Sequence, residues 1–240
     1  MSNKKEYIRK GLKDMWNMYL CNGAKWSNYD IPICPTIITE TPSTIITWTE
    51  AKENYKKGIK KDADFKSSSF VCFYEDDYRF DGPVAGIWAN PERAIKILRH
   101  FRGIVTPDFS TYQDFPEPIK IYNTFRMRAF GYWVGTQGLE VINNIRWGTE
   151  ETFRYCFQGV ETDSTVCIGT VGGSPRKRID RKRFEKGIIE LIKQLHPRII
   201  LIYGSSNFPC FDWARKQGIK VISFQGATAR AFKKRKKDYE

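Results

Sequence analysis

Short apolar runs punctuate the chain, and each gives way to polar residues and then to apolar positions at helical spacing. The runs lie at residues 44–48 (TIITW), 70–74 (FVCFY), 104–106 (IVT), 139–145 (LEVINNI), 165–169 (TVCIG), 199–203 (IILIY) and 221–224 (VISF). They are rich in β-branched and aromatic residues and each is short and followed by a polar residue, Gly or Pro, the pattern of buried strands. Helices are expected between them, over 49–59, 91–101, 119–134, 149–157, 181–195 and 211–217. Thr49 with Glu53 is expected to open the first. Asn90 followed by Pro91 opens the second, where Ile95, Leu98 and Phe101 share a face. Gly218 stops the last.

Continuous apolar strands alternating with helices indicate a parallel sheet covered by helices. The fold class is therefore α/β, built from parallel (β/α) repeats. A barrel or barrel-like closure is the leading architecture, and an open doubly wound sheet is the alternative. Residues 1–36 read as an N-terminal helix (6–21, from Ile8, Leu12, Met15 and Tyr19) and a lead-in segment lying across the domain. Residues 37–228 read as a single α/β domain, and 229–240 as a basic tail.

Either architecture puts ligands beyond the carboxyl ends of the strands. The residues at those tips include Asp77 and Arg79, Asp108 and Ser110, Arg146 and Trp147, Thr170, and Tyr203. Asp108 follows Pro107 at the exit of an apolar strand, where a carboxylate could bind a metal, act as a base or anchor an arginine. Asp77 and Asp108 form the best pair for one divalent ion, Mg²⁺ or Mn²⁺, or for an acid/base couple. Arg126 falls mid-way on the apolar face of its helix and must find an anion there, with Asp108 or Asp77 as the expected partner. Asn123 lies one turn earlier near the same face. Arg128 points away from it, toward solvent or a polyanion.

Composition adds a partner class. Lys and Arg number 40 against 27 Asp and Glu, a formal net charge of +13, which favours a polyanion. The cations cluster in Arg176, Lys177, Arg178, Arg181, Lys182 and Arg183, after a glycine-bearing strand exit, and again in the tail at Lys233, Lys234 and Arg235. The six cysteines make no C-x-x-C pair and only two histidines occur, so no structural zinc site is expected. Cys72 and Cys167 read as buried thiols. The opening MSNKKEYIRK has no apolar core of a signal peptide, and no apolar run is long enough to span a membrane, which points to a cytoplasmic protein. Nucleophile-elbow, zincin and dinucleotide motifs do not occur.

The ordered set FYEDDYRF, NPER, GIVTPDFS, IYNTFRMR, VINNIRW and GTVG resembles an uncharacterised family, domain of unknown function number forty-four seventeen, found in bacteria, phages and other mobile elements. The likeness runs from about residue 31 to 225. It marks Asp76, Asp77, Arg79, Asp108, Ser110, Asn123, Arg126 and Trp147 as motif residues and implies a phage or mobile-element setting, with no reaction attached.

Three functions follow. The first is a nucleic-acid-binding protein that hydrolyses phosphodiesters with metal on Asp77 and Asp108, Arg126 and Arg146 steadying phosphate. The second is a non-catalytic DNA- or nucleotide-binding module. The third is a barrel enzyme acting on a small metabolite or sugar, with Trp147 and Tyr203 stacking on a ring.

Overall fold

The computed structural model describes residues 11–171 and 178–237. It contains strands β1 (Ile45–Thr47), β2 (Ser67–Cys72), β3 (Phe101–Val105), β4 (Glu140–Asn144), β5 (Thr165–Gly169), β6 (Ile199–Tyr203) and β7 (Lys220–Phe224). The helices are α1 (Trp48–Ile59), α2 (Pro91–Leu98), α3 (Glu117–Thr136), α4 (Phe153–Cys156), α5 (Arg178–Leu195), α6 (Pro209–Lys216) and α7 (Ala227–Lys237). Each strand pairs in parallel with the next, in the order β1 to β7.

That order never reverses. With right-handed crossovers, helices then fall on one face of the sheet. The other face must be covered by the sheet itself, so the seven strands curl into a half-barrel. The inner face is one apolar cluster of Ile45, Phe70, Cys72, Tyr74, Val105, Ile142, Cys167, Leu201 and Tyr203, drawn from successive strands at alternate positions. The rings of Tyr74, after β2, and Tyr203, ending β6, stack at 5.4 Å although four pairings separate their strands. An open doubly wound sheet is excluded, because its order must reverse at a switch point. Two further clusters fill the space between the sheet and the outer helices.

The opening of α1 differs from expectation. Its cap is Thr47, whose hydroxyl accepts from the Glu50 amide while the Glu50 carboxylate accepts from the Thr47 amide. This reciprocal box starts the helix at Trp48, straight out of β1. Of the expected N-terminal helix, residues 1–10 lie outside the described part. Residues 11–17 form no helix, and Met18–Cys21 make one 3-10 turn. Asp14 accepts from the amides of Trp16 and Tyr19, and Asn17 turns left-handed, which diverts the chain.

The lead-in is part of the core. Ile31 and Cys34 are wholly buried, and Ile37 pairs antiparallel with Val141 of β4. β4 pairs with β3 through Glu140–Ile142 but with β5 only through Asn143 and Asn144. The lead-in occupies the gap, held by the Asn143 side chain, which donates to the Cys34 carbonyl at 2.8 Å.

Residues of the expected tail continue as α7, which crosses from β7 to the first strand. Arg230 donates to both Glu50 oxygens and to the Ile45 carbonyl. A side-chain strap thus spans the opening between the sheet's two edges.

Candidate functional site: the mouth of the half-barrel

Two hydrogen-bonded chains meet at the carboxyl ends of the strands. The segment leaving β3, residues 106–111, is buried throughout. In the first chain the Tyr74 hydroxyl donates to Asn144 Oδ1 at 2.9 Å, and Asn144 Nδ2 donates to Asp108 Oδ1 at 2.9 Å. Arg146 donates to Asp108 Oδ2 at 2.8 Å. Burial lifts the Asp108 carboxyl above its ordinary value, with the charge of Asp77 adding to it, against the pull of Arg146 and Asn144. Asp108 in turn holds Arg146 more firmly protonated than usual.

In the second chain Asp77 accepts from the Ser110 hydroxyl at 2.8 Å and from its amide at 3.2 Å. The Ser110 carbonyl accepts from Asn123, whose Oδ1 accepts from Arg126 Nε and a terminal nitrogen at 3.2 and 2.7 Å. Arg126 ends the chain on both oxygens of Asp81, at 3.0 and 2.8 Å. Its guanidinium lies 3.9 Å from the centre of the Phe109 ring. The expected partners of Arg126, Asp108 and Asp77, are therefore corrected to Asp81. The 3-10 turn Asp77–Arg79 swings the chain so that Asp81 reaches α3, while Arg146 and Ser110 occupy the other two carboxylates.

Arg128 also departs from expectation. It is wholly buried and donates to the carbonyls of Asn144, Cys156 and Gln158 at 2.8, 3.1 and 3.1 Å. Burial lowers it to about 10, so it remains charged at neutral pH.

Beside Asp108 opens a pocket of about 380 Å³. Arg146 and Trp147 form one wall, the 111–114 loop a second, and Asp180, Arg183 and Phe184 of α5 a third. Trp147 leans on Phe184 at 5.4 Å, over Gly187, where any Cβ would fall inside the indole. Glycine is required by that close approach.

The remaining expected residues are scattered. Thr170 is buried and donates to the Ser205 carbonyl. Tyr203 faces the interior and accepts from the Ala227 amide through its hydroxyl. Neither lines the pocket. Arg79 is exposed on the outer side, against Tyr78. Arg181 and Lys182 are exposed in the first turns of α5 at the mouth, and Arg183 donates to Gln113. Arg176 and Lys177 lie outside the described residues. Arg178, Lys234 and Arg235 are described only as helical backbone, and Lys233 is exposed on α7. Tyr74, Asp81, Asn144 and Phe184 were not anticipated. Their one sequence signal is position, since Asn144 closes an apolar strand and Tyr74 lies two residues beyond the end of one.

Asp77 and Asp108 suit a divalent ion poorly. Their oxygens already accept from Ser110, Asn144 and Arg146, and a cation on Asp108 would have to displace a guanidinium. Among the described residues no group of three or more His, Cys, Asp or Glu side chains gathers for a metal. Among the same residues no helix is long and apolar enough to cross a membrane.

Fold and mouth together define a barrel-like α/β protein with a buried polar network behind an open pocket. The chain belongs to the family described as Domain of unknown function (DUF4417), which it matches over residues 24–225. It is 32% identical over 187 residues to the Gene 1 protein of Mycobacterium phage D29, covering 78% of this chain and 64% of that protein. Against the Gene 1 protein of Mycobacterium phage L5 it is 32% identical over 179 residues, 74% of this chain and 72% of that one. The chain thus spans under two thirds of the length of the D29 relative. No solved structure matches it.

Proposed function

We propose that the protein is a phage nucleic-acid-binding protein whose mouth seats one nucleotide unit, Arg146 taking the phosphate and Trp147 with Phe184 the ring. Arg146 carries this reading. One of its terminal nitrogens is anchored on Asp108, while 28% of the side chain stays open beside the indole. A planar cation braced by a carboxylate is preorganised for a phosphate oxygen. The pocket volume suits a ligand of this size. The net charge of +13, the phage relatives and the exposed Arg181 and Lys182 at the rim support a strand as the source of that nucleotide. Because Arg146 already neutralises Asp108, the reading is one of binding, with no hydrolytic step assigned.

Titration with thymidine monophosphate and with a labelled ten-nucleotide oligothymidylate tests it. Arg146→Met should weaken the monophosphate about tenfold or more, and Trp147→Ala should do likewise through lost stacking. Wild-type binding by both variants, or no binding by the wild type at low salt, would overturn it.

One observation favours a small-metabolite reading. Asp114 and Asp180 stand in the same lining as Arg146 and Arg183, so the pocket is not strongly cationic. Thymidine binding as tightly as its monophosphate would favour that reading.

A further inference from the structure

A second cleft lies outside the barrel, between α1, α2 and the loop after β2. It measures about 430 Å³ and shares no lining residue with the mouth pocket. Lys52, Lys56, Arg79, Arg93 and Lys96 line it, together with Trp48, Tyr55, Tyr78 and Phe80, and its lining contains no carboxylate. Like charges do not gather around an aromatic hollow for stability, since each raises the cost of the next. Among the described residues no ion pair engages Lys52, Lys56, Arg93 or Lys96, and Arg79 meets only Asp76, at 3.9 Å.

We propose that this cleft is a nucleotide site, in which Lys52, Lys56, Arg93 and Lys96 hold the phosphate and the exposed ring of Tyr78 takes the base. The local build supports it. Lys52 Nζ donates to the Arg79 carbonyl at 3.3 Å and lies 5.6 Å from the Trp48 ring centre, so it is fixed at the floor of the cleft. Burial, then the like charges of Lys56, Arg79 and Arg93, lower its ammonium below the ordinary value despite the pull of Glu75. An anion would relieve that repulsion. Tyr78 is 73% exposed and stands at the edge with Arg79 stacked on it. Exposed aromatic rings beside cations are the pattern of sequence-tolerant single-strand binding. The loop from Asp77 to Gly86 carries Tyr78 and Arg79 into the cleft and sends Asp81 to Arg126 at the mouth, so one loop borders both places.

The proposal stands on the cleft alone and does not depend on the mouth. Adenosine diphosphate and oligothymidylate are titrated against wild type, the triple variant Lys56→Gln/Arg93→Gln/Lys96→Gln, and Tyr78→Ala, with Arg146→Met as the mouth control. The three substituted cations are exposed, so thermal melting should match wild type. The triple variant should lose one equivalent of diphosphate that Arg146→Met retains, and Tyr78→Ala should weaken that equivalent about tenfold. If the natural source is a strand, the log–log salt slope for the oligonucleotide falls by about two in the triple variant. If the source is a free nucleotide, the diphosphate equivalent is lost while the oligonucleotide slope is unchanged. Unchanged diphosphate and oligonucleotide binding in the triple variant overturns the proposal and leaves the mouth untouched. Inorganic phosphate binding as tightly as the diphosphate, with Tyr78→Ala silent, overturns the assignment to a nucleotide.

Discussion

Arg128 donates to the main-chain carbonyl of Asn144 at 2.8 Å from a wholly buried side chain. The same guanidinium holds Cys156 and Gln158, so it joins α3, the end of β4 and the turn after α4. Because Asn144 positions Asp108, and Asp108 positions Arg146, the mouth rests on a cation that no ligand touches. Arg128→Met should take this donor from two buried carbonyls and one part-buried carbonyl and cost about 3–5 kcal/mol. Arg128→Lys keeps the charge but lacks the fork, and about 2 kcal/mol should be lost. Urea denaturation measures both. A loss below about 1 kcal/mol in Arg128→Met would refute the bracing role.

Gly187 sets the distance between α5 and Trp147. A methyl group there cannot coexist with the present indole position. Gly187→Ala should therefore destabilise by about 1–3 kcal/mol through overpacking, despite alanine's better helix propensity. It should also shift the tryptophan emission and abolish binding at the mouth, leaving the α1–α2 cleft intact. A variant more stable than wild type with unchanged emission would contradict the packing described.

The strands and their parallel pairing were legible because each apolar run is short and bounded, and β5 and β6 lie where the pattern puts them. The barrel-like curl followed from repeat number. The partners of the charged residues were not legible, for a physical reason. A helical wheel assumes one buried stripe, but α3 is covered on both sides, by the sheet and by the turn after α4, so Arg126 and Arg128 are buried in different directions. The loop after β2 adds a second ambiguity. It offers Glu75, Asp76, Asp77 and Asp81 within a few residues, and backbone turns decide which one reaches α3. The strap formed by Arg230 is likewise invisible to periodicity, since it depends on the sheet bringing its edges together.

That strap makes a separable prediction. Arg230 and Glu50 are each about one third exposed, with oxygens at 2.6 and 2.8 Å, so solvent screens part of the attraction. Arg230→Ala should cost about 1–2 kcal/mol. The effect should be local. Amide exchange in β1 should accelerate about 5- to 30-fold, while β3 to β6 stay protected. Uniform acceleration throughout the sheet would show that α7 supports the whole fold and closes no seam.

Acid should release the lead-in through Glu140. Its carboxylate accepts from Arg102 at 3.0 Å on each oxygen and from Thr39 at 3.2 and 2.8 Å, beside the Ile37–Val141 bridge. Burial pushes the carboxyl up, but the bonds from Arg102 and Thr39 outweigh it, and the net position is below the ordinary range. A carboxyl depressed in the folded state stabilises fully at pH above its unfolded value of about 4.3, and the stabilisation drains away as pH falls through the folded value. Glu140→Gln should therefore lose about 1–2 kcal/mol at pH 7. It should also approach wild type as the pH drops toward 3, because the wild type then loses the same bonds. Urea midpoints across that range decide the matter, and two curves that run parallel from pH 7 to pH 3 would remove Glu140 as the acid-sensitive tie.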